Sequence, residues 1–336
     1  DSITNKHFFF TGDLKDDYGF KQLTFNYLSV DENGAQGELI SENLDINQTQ
    51  SQQQFFHYWD ISSLGVDPGG QLSYYFEVWD NDGVNGSKSS RTLMRTYNAP
   101  TVNELEEARD QQNENIKDEM EEAIEDAKEI QKDLEELRKD LLEKDELSWQ
   151  DKKKLEELLE KQRQMEKNVE NIQQKNEQKN QKESEFNQQN EDLLKKQEQL
   201  EELMEQVMSD ELRELMDELE KLMEELNMEE IQEQIEEMDM STEDMEKELD
   251  RALEQFKQLE VEMKMEEALE ELQELAEEQK ELAEESKKED ADSQDLKEKQ
   301  SELNEKFEEW EKEMEDIEKL NEELEEPNAM PDQEEE

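Results

Sequence analysis

Two hydrophobic periods divide the chain. Up to about residue 98 apolar side chains alternate with polar ones: Leu23, Phe25 and Tyr27 share one face of "FKQLTFNYLSV", and Leu72, Tyr74, Phe76 and Val78 share one face of "QLSYYFEVW". That period of two belongs to half-buried antiparallel strands. The segments "HFFFTG", "GELISENLDI", "QQFFHYW" and "SRTLMRTY" read as further strands, and "DDYG", "DENG", "DPGG" and "DNDG" supply turns. Short strands at this spacing, with no helix-length segment between them, predict an antiparallel β-sandwich of Ig or fibronectin type over residues 1–99.

From Thr101 the period changes to heptads, so the fold class expected is α+β: the sandwich followed by long α-helical coiled-coil hairpins. Pro100 and a Thr101-x-x-Glu104 capping box start the first helix, whose seam is Ile116, Met120, Ala123, Ala127, Ile130, Leu134, Leu137 and Leu141. A second box, Ser148-x-x-Asp151, opens a register that continues through Leu155, Leu158, Met165, Val169, Ile172, Phe186, Leu193, Leu200, Met204 and Val207. Read as one helix, this spans about 60 residues and roughly 90 Å. Its polar middle sets Asn176, Lys179, Glu183 and Asn190 on the seam, which predicts an exposed or frayed stretch. Residues 100–208 therefore form two long helices. Residues 209–326 form an acidic helical region in which Ser209, Asn227 and Ser241-Thr242 serve as N-caps for helices at 210–226, 228–238 and 242–288. A final helix carries Leu296, Leu303, Phe307, Trp310, Met314, Ile317 and Leu324 and stops near Pro327, and residues 327–336 read as a disordered acidic tail.

Charge narrows the partners. The 102 acidic and 38 basic residues give a net charge of −64, and residues 197–336 hold 58 of those acids against 14 bases. Nucleic acid and anionic membrane surfaces are repelled, so a charge-driven partner is basic or cationic. Without cysteine there is no disulfide framework, thiolate metal site or cysteine nucleophile. No apolar run reaches the roughly 20 residues that cross a bilayer. The chain reads as a piece of a longer protein, with any membrane segment outside it.

Few residues offer chemistry. An EF-hand counted from Asp80 would need Gly and Glu where Asn85 and Arg91 stand. Asp80-Asn81-Asp82-Gly83 reads first as a hairpin turn; the alternative is an irregular Ca²⁺ site at Asp80 and Asp82, with Asp16, Asp17 and Asp67 as further loop acids. His57 shares a strand face with Phe55 and Trp59 and reads as a packed histidine. No nucleophile triad, phosphate-binding glycine loop or zinc-binding helix is present, so no enzymatic activity and no other cofactor are expected. The Met-rich stretch reads as helix core or as an adaptable partner-docking surface at Met204, Met208, Met216, Met223, Met228, Ile231, Ile235 and Met238.

The order of "DDYGFKQLTFNY", "YWDISSLGVDPGGQLSYYFEVWDNDGVNGSK", "APTVNELEEARDQQNENI" and "ELSWQDKKKLEELLEKQ" resembles a family of large bacterial envelope proteins defined only as a domain of unknown function. The resemblance covers residues 11–165. It implies N-terminal membrane helices outside this stretch, an immunoglobulin-like domain, a long Glu-rich coiled coil, a periplasmic location anchored at the inner membrane, and a scaffolding role. The expected function is a non-enzymatic spacer and protein-interaction subunit that could self-associate through its seams. Alternatives are a divalent-cation-responsive module and a chaperone-like clamp for an envelope client.

Overall fold

The computed structural model describes residues 6–30, 36–66, 68–82, 86–142, 144, 146–186, 191–207, 210–225, 227–288 and 293–330. The chain is α+β and divides into two compact units, residues 1–111 and 112–336.

In the first unit β1 (His7–Lys15) pairs antiparallel with β4 (Gln52–Asp60), and β2 (Phe20–Val30) lies between β3 (Ile40–Leu44) and β5 (Gln71–Asp80) in a second antiparallel sheet. The free edge of β5 takes β6 (Ser89–Arg91) and then β7 (Arg95–Asn98). Here "SRTLMRTY" departs from the expected single strand. Glu77 pairs with Arg91 but Tyr74 pairs with Arg95, so the outer strand carries one residue more than its partner. Thr92 sits at this bulge: its N–H donates to the Phe76 carbonyl at 2.9 Å and its hydroxyl accepts from the Phe76 N–H at 3.0 Å. The two sheets share an aromatic core centred on Phe25, whose ring lies 4.5 to 6.0 Å from those of Phe10, His57 and Trp59 on one sheet and Tyr27, Tyr74 and Phe76 on its own. Full burial of one such ring contributes about 2–3 kcal/mol.

The helices of the described residues are α1 (Val102–Leu141), whose first ten residues fall in the first unit, and, within the second unit, α2 (Trp149–Phe186), α3 (Glu191–Val207), α4 (Asp210–Glu225), α5 (Met228–Glu285) and α6 (Ser293–Glu322). Both predicted capping boxes form: Thr101 and Glu104 exchange bonds of 2.9 and 3.2 Å, and Ser148 and Asp151 bonds of 2.9 and 3.3 Å. Cross-helix bonds fix the order of the legs. Lys154 meets Asp140 and Lys161 meets Asp133, so α2 runs antiparallel to α1. Gln232 reaches the Leu141 carbonyl while Asn113 reaches Glu260, so α5 also runs antiparallel to α1. Lys152 bonds the Met223 carbonyl and Arg213 bonds Glu170, which sets α4 antiparallel to α2. Gln234 to the Leu215 carbonyl and Gln255 to the Lys196 carbonyl place α4 and α3 along α5. The result is a four-legged antiparallel bundle of α1, α2, α3 with α4, and the first half of α5, around one apolar cluster. Its predicted seam residues from Ile116 to Leu141 are all buried.

Four expectations change. Residues 148–207 are not one rod: Asn180 donates to Glu201 at 3.0 Å, whereas on a continuous helix they would stand about 30 Å apart. The heptad register survives across the polar stretch, but a register cannot distinguish a rod from a hairpin. Asn176 and Lys179 are buried rather than exposed; Asn190 and the Glu183 side chain lie outside the described residues. No helix starts at Ser241-Thr242, because the Thr242 hydroxyl donates to the Met238 carbonyl at 2.8 Å and is satisfied inside a continuous α5. The tail is held at its start: Asn321 and Asn328 exchange bonds of 2.9 and 2.8 Å, and Met330 packs on the cluster of Val261, Ala268, Met314, Ile317 and Leu324. Asn227 precedes α5 as expected, though without a side-chain cap bond; Ser209 lies outside the described residues.

Candidate functional site

The acidic turn after β5 is a hydrogen-bonded closure. Asp80 donates its N–H to the Lys88 carbonyl at 3.0 Å, and its carboxylate accepts from the N–H groups of Lys88 at 2.8 Å and Asp82 at 3.4 Å. Asn81 ties this turn to its neighbour by donating to the Tyr18 carbonyl at 2.9 Å. The Asp16 carboxylate caps that neighbouring turn, accepting from the N–H groups of Tyr18 and Gly19. Gly19 is required there: its φ is +107°, and a Cβ would stand 2.5 Å from the Gln48 carbonyl oxygen. Gly83, Asn85 and Asp67 lie outside the described residues. Among the described residues no three acidic or histidine side chains converge to hold a metal ion.

The Met-rich positions are reassigned from a docking surface to core. Met204, Met216, Met223, Ile231, Ile235 and Met238 are buried in the bundle cluster, and Met228 packs against it. The open groove that sequence allowed is filled by the chain's own legs. Met208 lies outside the described residues.

At one end of the bundle the core is polar. Lys117 lies 3.2 Å from Glu260, which also accepts from Asn113 at 3.1 Å, and all three side chains are buried between α1 and α5. Burial works against the Lys117 ammonium, but Glu260 and Glu114 outweigh it and raise its pKa. The Lys179 ammonium lies 4.5 Å from the centroid of the Phe256 ring. Asn176 and, further along the bundle, Gln162 are 1% and 0% exposed, and neither amide finds a hydrogen-bond partner among the described residues.

His57 occupies the aromatic core as expected. Its buried Nε2 has no hydrogen-bond partner among the described residues, and burial lowers its pKa against an opposing pull from Glu42.

The feature that sequence periodicity passed over is the outer face of the β1–β4 sheet. Register sets Phe9 opposite Tyr58 and Thr11 opposite Phe56. Phe9, Phe56 and Tyr58 remain 81%, 76% and 50% exposed, with Phe9 and Tyr58 ring centroids 4.9 Å apart. The Tyr58 hydroxyl lies 2.8 Å from His7 Nδ1, which is 3.5 Å from Asp60. Ser62 donates to Asp60 through its hydroxyl and N–H and holds that carboxyl below its usual range. Among the described strands, β1 and β4 pair only with each other, leaving an outer edge of each open. A signal was available: Phe8-Phe9-Phe10 and Phe55-Phe56 break the alternation and put aromatic rings on both faces, the pattern of strands covered on both sides.

No helix among the described residues is long and apolar enough to cross a membrane. No family model, curated protein or solved structure matches the chain.

Proposed function

We propose that the protein is a non-enzymatic scaffold and protein-interaction subunit of a bacterial envelope complex, acting in the periplasm. In this reading the β unit is an Ig-like sandwich that grips a partner by the outer face of β1–β4, and the helices form a coiled-coil body whose acidic surface favours basic contacts. The observation that carries it is the open aromatic cluster of Phe9, Phe56 and Tyr58. Exposed rings at the centre of a patch are the side chains that dominate interface energies. The edges of β1 and β4 that no described strand pairs would let an extended partner segment add its own backbone bonds. The sequence supports the non-enzymatic side, since it carries no motif that would activate a nucleophile or a metal-bound water.

Photo-crosslinking in cells tests this. A benzophenone side chain at Phe9 or at Phe56 is expected to trap one and the same discrete protein, whereas the probe at exposed Glu42 on the other sheet traps none. No adduct, or equal adducts at all three positions, would overturn the assignment.

A further inference from the structure

The apolar cluster of the four-legged bundle ends at Met263, and α5 continues to Glu285 with α6 alongside it. The two helices form an antiparallel arm. Trp310 donates to the Ala268 carbonyl at 2.8 Å, Gln279 and Gln300 exchange amide bonds of 3.1 and 2.8 Å, and Lys306 and Lys299 pair with Glu278 and Glu285 at 2.7 and 3.0 Å. Leu275, Leu282 and Leu303 fill the seam.

A two-helix seam needs two apolar rows with charged residues on both flanks. On one flank of α5 that rule holds, with Glu271, Glu278 and Glu285 spaced seven apart. The other flank breaks it. Leu269, Ala276 and Ala283 follow Ala268, Leu275 and Leu282 by one residue each and make a third uncharged row, all exposed. An apolar face three-sevenths of a helix wide is the face of a helix with neighbours on two sides. On α6 Asn304 and Phe307 are also exposed; Leu269 and Phe307 keep 43% and 42% of their surface.

The borders of this strip carry an ordered charge. Lys280 and Lys297 stand toward the α5–α6 turn, and Glu266, Glu308, Glu311 and Glu315 stand toward the bundle. A strip that is basic at one end, uncharged in the middle and acidic at the other is its own complement when a copy lies antiparallel on it. A two-fold axis imposes that arrangement. We propose that the open side of the α5–α6 arm pairs antiparallel with the same side of a second copy of this chain. A uniformly cationic partner helix fits less well, because its lysines would face Lys280 and Lys297. About 20 residues of α5 give a strip about 30 Å long. Two such strips would bury roughly 1,000 Å² in total, at the low end of specific interfaces, so the dimer is reversible. The net charge of −64 on each copy opposes approach, but at physiological salt it is screened beyond about 8 Å, leaving the charges at the contact to decide register.

Sedimentation equilibrium of the full chain at physiological salt, taken up to hundreds of micromolar, provides the test. Wild type is expected to show a monomer–dimer equilibrium. K280E/K297E makes both ends of the strip acidic and E308K/E311K/E315K, which leaves Glu266 as the one acid of the bundle end, makes both ends basic, so each variant alone is expected to dimerise about tenfold or more less tightly. Mixed together they are expected to form a heterodimer, an outcome that loss of folding in either variant could not produce. A wild-type monomer at every concentration, or dimerisation indifferent to these charges and to L269E, would overturn the proposal. So would a monomer whose strip instead binds a synthetic Leu–Lys amphipathic helix, which would assign the strip to a different protein.

Discussion

Asp151 shows how much one short motif can carry. Its side chain is buried, which disfavours the charge, yet the Lys144 ammonium at 2.6 Å and the hydroxyl and N–H of Ser148 at 2.6 and 2.9 Å hold its pKa at about 2. The native pKa lies below the ordinary 3.8, so the contribution is complete above about pH 4 and is lost as pH falls toward 2. Asp151→Ala removes the box and leaves Lys144 without this partner. It is expected to lower unfolding free energy by about 1–3 kcal/mol in urea titrations at neutral pH, and by much less at pH 2. The box was legible in the sequence as Ser148-x-x-Asp151. The contribution of Lys144 was not, because the partner comes from the loop before the helix and only its folded path brings it within reach.

At the scale of elements, heptads gave the right faces and the wrong lengths. Leu155, Leu158, Met165, Val169 and Ile172 of α2 and Leu193, Leu200, Met204 and Val207 of α3, all expected to be apolar core, are buried, yet the chain doubles back between the two helices. Thr242 shows the opposite error, a residue suited to capping that sits in mid-helix because its hydroxyl has a carbonyl partner one turn back. Polar residues on the seam were expected to expose it, but three other legs close over them. Gln162 and Asn176 then have buried amides with no partner among the described residues, a desolvation cost without a compensating bond. Gln162→Leu and Asn176→Leu are each expected to raise unfolding free energy by about 1–3 kcal/mol. Chemical denaturation at constant m-value checks this, and a loss of stability would show that the amides are satisfied by bound water instead.

Across the whole molecule the two units are expected to respond to pH with opposite sign. His57 in the β unit has a native pKa below its ordinary 6.5; the unfolded chain therefore takes up protons first, and this unit loses stability as pH falls from 6.5. In the helical unit burial, followed by neighbouring carboxylates, raises Asp126, Asp239 and Glu313, and burial raises Glu166 against the pull of Arg213. Their native pKa values lie above the ordinary 3.8 and 4.5, so the folded state takes up protons first and gains stability as pH falls toward that range. Hydrogen exchange between pH 7 and pH 5, corrected for its intrinsic rate, should show protection falling in β4 and β5 and rising in α5. Parallel changes in both would contradict these assignments.

Local chemistry written along the chain determined most of the strands, the capped helix starts at Thr101 and Ser148, the buried faces and the acidity of the C-terminal part. These depend on a period of two or seven and on capping residues three apart, which neighbours in sequence settle among themselves. Only the tertiary structure decided which leg fills which seam, that the methionines close a core rather than open a groove, and that Phe9, Phe56 and Tyr58 remain uncovered. The reason is physical: an apolar face specifies that it must be buried but not against what, and the occupant is set by chain reversals and long-range pairings that leave no local pattern.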